Sequence, residues 1–193
     1  MAHRPEQKTH PLSQRWTLWF DNPAGKQKVE NFGETLRAIC TFGTVEDFWS
    51  LQHNVALPSM LKPNADIHLF KEGITPKWED RMNEDGGRWT VTAPKTGGER
   101  VLNGLWLDAM LACVGDMFED GVEVCGVVCN IRAKGNRVCL WTNKADKKLL
   151  QLSLGRQFKH HLGIGPSEKI SYLAHSDARR LTQTQRVADL YNV

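Results

Sequence analysis

The sequence predicts an α+β protein organised around one mainly antiparallel sheet, and three observations carry that expectation. Short alternations of apolar and polar residues, of strand length, recur along the chain, as in RWTLWF (15–20), DIHLFK (66–71) and RWTVTA (88–93). Three longer stretches, 44–55, 101–118 and 145–163, carry helical spacing instead. Many connections are of hairpin length and contain Gly, Pro or Asn, which favours antiparallel neighbours.

Taken in order, MAHRPEQKTHPL (1–12) is a polar, flexible lead-in, and residues 13–193 form one domain. RWTLWF is the first strand, DNPAGKQK (21–28) a loop, and TLRAICTF (35–42) the second strand. Thr44 stands where a helix cap belongs, and Glu46 and Asp47 suit the positive end of the helix that follows. DIHLFK is a strand, and residues 73–87 form a loop. In RWTVTA, Trp89 and Val91 take the core face while Arg88 and Thr90 point the other way. Helix 101–118 has two apolar stripes, Leu107/Leu111/Val114/Phe118 and Trp106/Met110/Cys113/Met117. One stripe suffices to lie on a sheet, so the helix is either broadly buried or keeps apolar surface for a partner. Residues 122–132 and 137–143 form a hairpin, 145–163 is an amphipathic helix closed by Gly163, and 169–175 is the last strand before a polar tail.

The 193 residues suffice for a real core, and 40% apolar with 24% charged residues is an ordinary soluble balance. A net charge of +3 is too small to hold duplex DNA by bulk attraction, so any anion must be met by a local patch. Five cysteines, an odd number with no CxxC pair, suit a reduced cytoplasmic or nuclear setting. No apolar run reaches membrane-spanning length. His53, His68, His160, His161 and His175 are scattered, with no metal-binding spacing, no P-loop and no nucleophile–base pattern, so neither metal, cofactor nor catalysis is expected. Seven tryptophans against two tyrosines invite a stacking role.

Two stretches carry candidate chemistry. In NIRAKGNRVCLW (130–141), a two-residue Lys134-Gly135 turn would set Arg132 opposite Arg137, on one face with Asn130, Cys139 and Trp141. Like charges directly opposed destabilise a sheet. They either splay into water or grip an anion, and a phosphate chain suits two guanidinium forks. In PKWED (76–80), Trp78 sits in a loop outside any periodic pattern, beside Glu79. A flat indole and a carboxylate that can accept from two parallel donors are what reading an unstacked guanine requires. A solvated acidic loop with a half-buried tryptophan is the plainer alternative.

HPL (10–12), RWTLWF, TVEDFW (44–49), LFKEGITPKWED (69–80), GGRW (86–89) and CGVVCNIRAKGNRVCLWT (125–142) together resemble the translation initiation factor 4E family, over roughly residues 10–193. The resemblance implies a curved sheet of about eight strands with three long helices on its convex face. It implies binding of the 7-methylguanosine cap of messenger RNA, with Phe32 and Trp78 as the two stacking planes and Glu79 reading the guanine edge. Arg132 and Arg137 would hold the triphosphate with Arg88 behind them, and Trp141 would touch the N7-methyl group. Phe32 stands where the mainstream class has tryptophan, as in a second class that often represses translation. It further implies a docking face at His10, Pro11, Val45, Trp49, Leu107, Asp108, Leu111 and Gly115. That face takes a Tyr-x-x-x-x-Leu-apolar helix from a 4G-type scaffold or a repressor, with the protein itself a monomer and not an enzyme. The expected role is recruitment of the scaffold to capped message; the alternatives are a repressor that does not bridge to the scaffold, an interaction module without cap binding, and a nucleotide enzyme. The loops 21–34 and 73–87 are expected to be mobile without ligand.

Overall fold

A computed structural model describes residues 9–22, 35–93, 98–180 and 189–193. In chain order the elements are β1 (Pro11–Asp21), β2 (Arg37–Thr44), α1 (Val45–Asn54), β3 (Asp66–Lys71), β4 (Gly87–Thr92), α2 (Gly98–Val114), β5 (Val124–Asn130), β6 (Arg137–Thr142), α3 (Lys148–His161), β7 (Ser171–Ala174), α4 (His175–Arg180) and β8 (Tyr191–Asn192). The strands form one eight-stranded open sheet in the order β2-β1-β3-β5-β6-β4-β7-β8. Every neighbouring pair is antiparallel. The single mainly antiparallel sheet with three long helices is therefore as expected.

The period-two alternation of the strands sorts residues onto two faces. Leu18, Ile67, Leu69, Trp89, Val127, Val138, Leu140 and Tyr172 join the main core with Phe48 of α1, Trp106 and Met110 of α2, and Leu154 and Phe158 of α3. All three long helices thus cover the same side. At its centre Trp89 is fully buried, and a Cβ on Gly155 would come within 2.5 Å of its indole, so only glycine lets α3 lie this close. The buried Thr142 hydroxyl bonds both Gln151 of α3 (2.9 Å) and Tyr172 (2.8 Å), pinning helix to sheet through polar groups. On the opposite side Phe70, Ile74, Cys125, Val128, Cys139 and Trp141 form a smaller cluster.

The helix ends follow local chemistry. The Thr44 hydroxyl accepts the Asp47 N–H at 3.1 Å, the cap read from sequence. The second helix stops at Val114 rather than 118, because Asp116 turns left-handed (φ 53°). The Met117 N–H then reaches Ala112 O (3.0 Å) and the Asp116 N–H reaches Cys113 O (3.2 Å), a Schellman closure. Gly163 (φ 64°) closes α3 in the same way. At the ends of the chain, β1 already begins at Pro11, inside the stretch read as lead-in, and α4 and β8 follow β7 where the sequence suggested only a tail. All five thiols are free; four are buried, and Cys40 on β2 is partly exposed. Burial pushes the Cys113 and Cys125 thiols up to about 12, and raises those of Cys129 and Cys139 as well.

Candidate functional site

The face of the sheet opposite the three long helices carries three cross-strand rows. Thr17, Phe70, Gly126, Trp141 and Arg88 form one. Trp19, His68, Val128, Cys139 and Thr90 form the next. Asp21, Asp66, Asn130, Arg137 and Thr92 form the third. Over these rows opens a cavity of about 170 Å³, walled by Asp66, His68, Pro76, Trp78, Arg88, Val128, Asn130, Arg132, Arg137 and Trp141. Residues from four strands, the β5–β6 turn and the 72–86 loop therefore meet at one place.

The aromatic wall is built in two layers. Trp141 is buried, edge-on to Phe70 (5.5 Å, 77°) and 4.1 Å from the His175 ring. A Cβ on Gly126 would meet the Phe70 ring at 2.6 Å, so glycine makes room for that ring in the row. Trp78 packs against the same cluster from the loop but is only half-buried, as an indole offering a face to a ligand must be. Its loop is laced from within. Asp80 accepts the Thr75 N–H (2.8 Å) and the Met82 N–H (2.9 Å). The fully buried Asn83 amide donates to Thr75 O (2.9 Å) and Lys77 O (2.8 Å), and the Cys125 thiol donates to Met82 O (3.2 Å). The 73–87 loop expected to be mobile is thus heavily cross-bonded.

The basic wall corrects the sequence reading. Arg137 pairs with Asn130, not with Arg132, so the register lies two residues from the one expected. The turn spans 131–136, closed by the Arg132 N–H to the Asn136 side chain (2.9 Å) and the Gly135 N–H to Arg132 O (3.1 Å). The like charges that stand opposite each other are instead acids, Asp21 and Asp66. Asp66 is relieved by a bidentate pair with Arg132 (2.7 and 2.8 Å) and by the Asn130 amide (2.9 Å), while Thr35 donates to Asp21. The hydrogen bond that Arg132 donates to Asp66 raises the Arg132 pKa, with Coulomb attraction acting the same way. The cavity wall nonetheless holds three guanidinium groups against one carboxylate, a net attraction for anions.

Of the cap-site residues named from sequence, Trp78, Arg88, Arg132, Arg137 and Trp141 line this one cavity. Glu79 is exposed on the loop next to Trp78 and outside the lining, and Phe32 lies outside the described residues. Asp66, His68 and Asn130 also line it, although only Asn130 was placed on this face beforehand. The signal was available in DIHLFK, whose alternate positions put two polar residues on the face away from the core.

The second predicted face lies on the helix side. The His10 carbonyl accepts the Val45 N–H (2.9 Å) and the His10 ring meets Glu46 at 2.6 Å, which holds the Glu46 carboxyl down at about 2 and ties the start of β1 to α1. His10, Pro11, Val45, Trp49, Asp108 and Gly115 are exposed, and Leu107 and Leu111 are half-buried. Trp49, 39% exposed, leans edge-on against the buried Phe48 at 5.1 Å. That a large indole stands out while its neighbour fills the core is the arrangement a partner-facing residue needs.

An open antiparallel sheet sealed by helices on one side, with an aromatic and guanidinium-lined pocket on the other, has the form of a binding protein for an anionic aromatic ligand. A family profile described as eukaryotic initiation factor 4E matches residues 11–189. Arabidopsis thaliana eukaryotic translation initiation factor 4E-1 is 43% identical over 180 residues, covering 93% of this chain and 74% of the relative. Caenorhabditis elegans eIF4E-3, solved with the 4E-binding protein Mextli and cap analog, superposes with TM-score 0.86 at 34% identity, covering 96% of this chain and 100% of that one. Ascaris suum eIF4E-3, solved with an m2,2,7G cap, superposes with TM-score 0.86 at 36% identity, covering 96% of this chain and 99% of that one. The chain belongs to the eukaryotic initiation factor 4E family.

Proposed function

We propose that the protein binds the 7-methylguanosine cap of messenger RNA in the cavity beside Trp78, and through its helix face recruits a 4G-type scaffold to start cap-dependent translation. It acts by binding, with no catalytic step. Methylation at N7 makes guanine cationic, so an indole face gains cation–π attraction on top of stacking. Trp78 supplies one plane and Phe32 the other. Glu79, on the rim, accepts from the ring N–H and amino group that guanine presents side by side. Arg88, Arg132 and Arg137 receive the phosphates, and a planar bidentate fork is the suitable donor for them. The helix face around Val45, Trp49, Leu107 and Leu111 takes a Tyr-x-x-x-x-Leu-apolar helix, from the scaffold or from a competing repressor.

The observation that carries this reading is the convergence of a half-buried loop tryptophan and three arginines on one cavity. The cap complexes named for the nematode relatives support it. Titration with 7-methylguanosine triphosphate, followed by quenching of the intrinsic tryptophan fluorescence, tests it. Trp78→Ala should weaken binding by about 1–3 kcal/mol, the worth of one stacked base. Wild-type affinity in that variant would overturn the assignment. Capture of a scaffold peptide, reduced in Trp49→Ala, tests the second face.

A further inference from the structure

His68 is a polar residue of the pocket wall to which the proposed roles assign no contact. It sits in the middle row of the face opposite the three long helices, between Trp19 on β1 and Val128 on β5, and lines the cavity with Trp78 and Trp141. His68 is only 5% exposed, and neither ring nitrogen has a hydrogen-bond partner. A buried donor and acceptor left unmet cost stability, and such groups in native proteins call for an explanation. An alanine or leucine would fill the same place in the sheet without that cost.

We propose that His68 is a specificity-determining contact for the bound base, presenting a ring-nitrogen lone pair to the positive charge that N7 methylation places on the five-membered ring. This deepens the cap-binding reading and rests on it. With the Watson–Crick edge turned to Glu79 on the rim loop, the opposite edge of the purine, its five-membered ring, faces the floor of the cavity. The floor is where His68 lies. A neutral imidazole carries one N–H and one lone pair, and the lone pair is complementary to a cationic ring and its polarised methyl and C8–H groups. An imidazolium would repel the same ring. Burial, which outweighs the pull of Asp66 and Asp21, holds the imidazole down at about 4, so it stays neutral at physiological pH. Arg132, the nearby cation, acts in the same direction.

The test compares 7-methylguanosine triphosphate with unmethylated guanosine triphosphate on the full chain, for wild type, His68→Leu and His68→Gln. His68→Leu should lose about three- to tenfold in affinity for the methylated nucleotide, the worth of one polar contact, with the unmethylated one changed less than about twofold. His68→Gln, whose carbonyl restores an acceptor, should recover most of the loss. Wild-type protein labelled with 15N in its histidines gives a second measurement that needs no variant to fold. Saturation with the methylated nucleotide should shift the His68 ring-nitrogen resonances, and the unmethylated nucleotide should not. An unchanged methylated-to-unmethylated ratio in His68→Leu, equal losses for both nucleotides, or unmoved ring resonances would each overturn the role of His68. A wild type that does not distinguish the two nucleotides would overturn the cap-binding reading itself, and His68 with it.

Discussion

Arg132 is drawn to Asp66, and that one choice explains much of the chemistry on the pocket face of the sheet. Two acids, Asp21 and Asp66, stand opposite each other on adjacent strands, an arrangement that a sheet tolerates only when each is answered. Arg132, Asn130 and Thr35 answer them, so the guanidinium that lines the ligand cavity is already oriented by a buried carboxylate. Such preorganisation lowers the entropy that binding must remove. His68 beside them makes a prediction for stability. Its folded pKa, about 4, lies below the ordinary value near 6.5. Between those two values the unfolded chain binds a proton that the native one refuses, so stability rises with pH across the window and falls on acidification. The full effect is about 3 kcal/mol for a shift of this size. Urea titrations at pH 7 and at about pH 4.5 should show wild type losing clearly more stability than His68→Leu. Equal losses would place the acid sensitivity elsewhere.

At the level of elements, the loop that bears Trp78 is a folded object in its own right. Asn83 and Asp80 make four hydrogen bonds to backbone within it, and the Cys125 thiol fastens it to β5 at an irregularity between Val124 and Gly126. Asn83→Ala removes two of these from a fully buried site. It should cost about 1–3 kcal/mol and speed amide exchange selectively across residues 75–82, read by mass spectrometry. Uniform exchange would show that the loop does not depend on Asn83. The sequence displayed the loop and its tryptophan but not this lacing, because hydrogen bonds between Asn or Asp side chains and nearby backbone leave no periodic trace. The hairpin shows the opposite balance. Reading AKGN as the whole turn misplaced the partner of Arg137, since the turn runs from 131 to 136. The error was an even number of residues, so Asn130, Cys139 and Trp141 kept the correct face. Faces were legible because side chains alternate; register was not, because it depended on the Asn136 side chain accepting the Arg132 N–H.

For the whole molecule, the sheet acts as a partition between two independent surfaces. The aromatic and basic pocket lies on one side, and the helices with Trp49 lie on the other. Sites this separated, without shared partners, are energetically additive. Urea titrations of Trp49→Ala, Trp78→Ala and the double variant should therefore give a coupling energy below about 0.5 kcal/mol. A larger value would mean that the core around Trp89 transmits strain between the faces. The fold class, the three long helices and the face of each central strand were readable from periodicity. The two-residue β8, which closes one edge through Ile170 and Val193, was not, because so short a strand has no pattern to read.

The distribution of the thiols has a practical outcome. Four of the five are sealed in the interior, while Cys40 on β2 is partly exposed, its thiol pKa raised first by partial burial and then by the charge of Asp47 on α1. A maleimide fluorophore applied at mildly alkaline pH would attach there, beside the helix that faces the scaffold and across the sheet from the nucleotide. The native chain thus carries a ready-made single reporter position, and docking on the helix side can be followed by dye emission without introducing or deleting a cysteine.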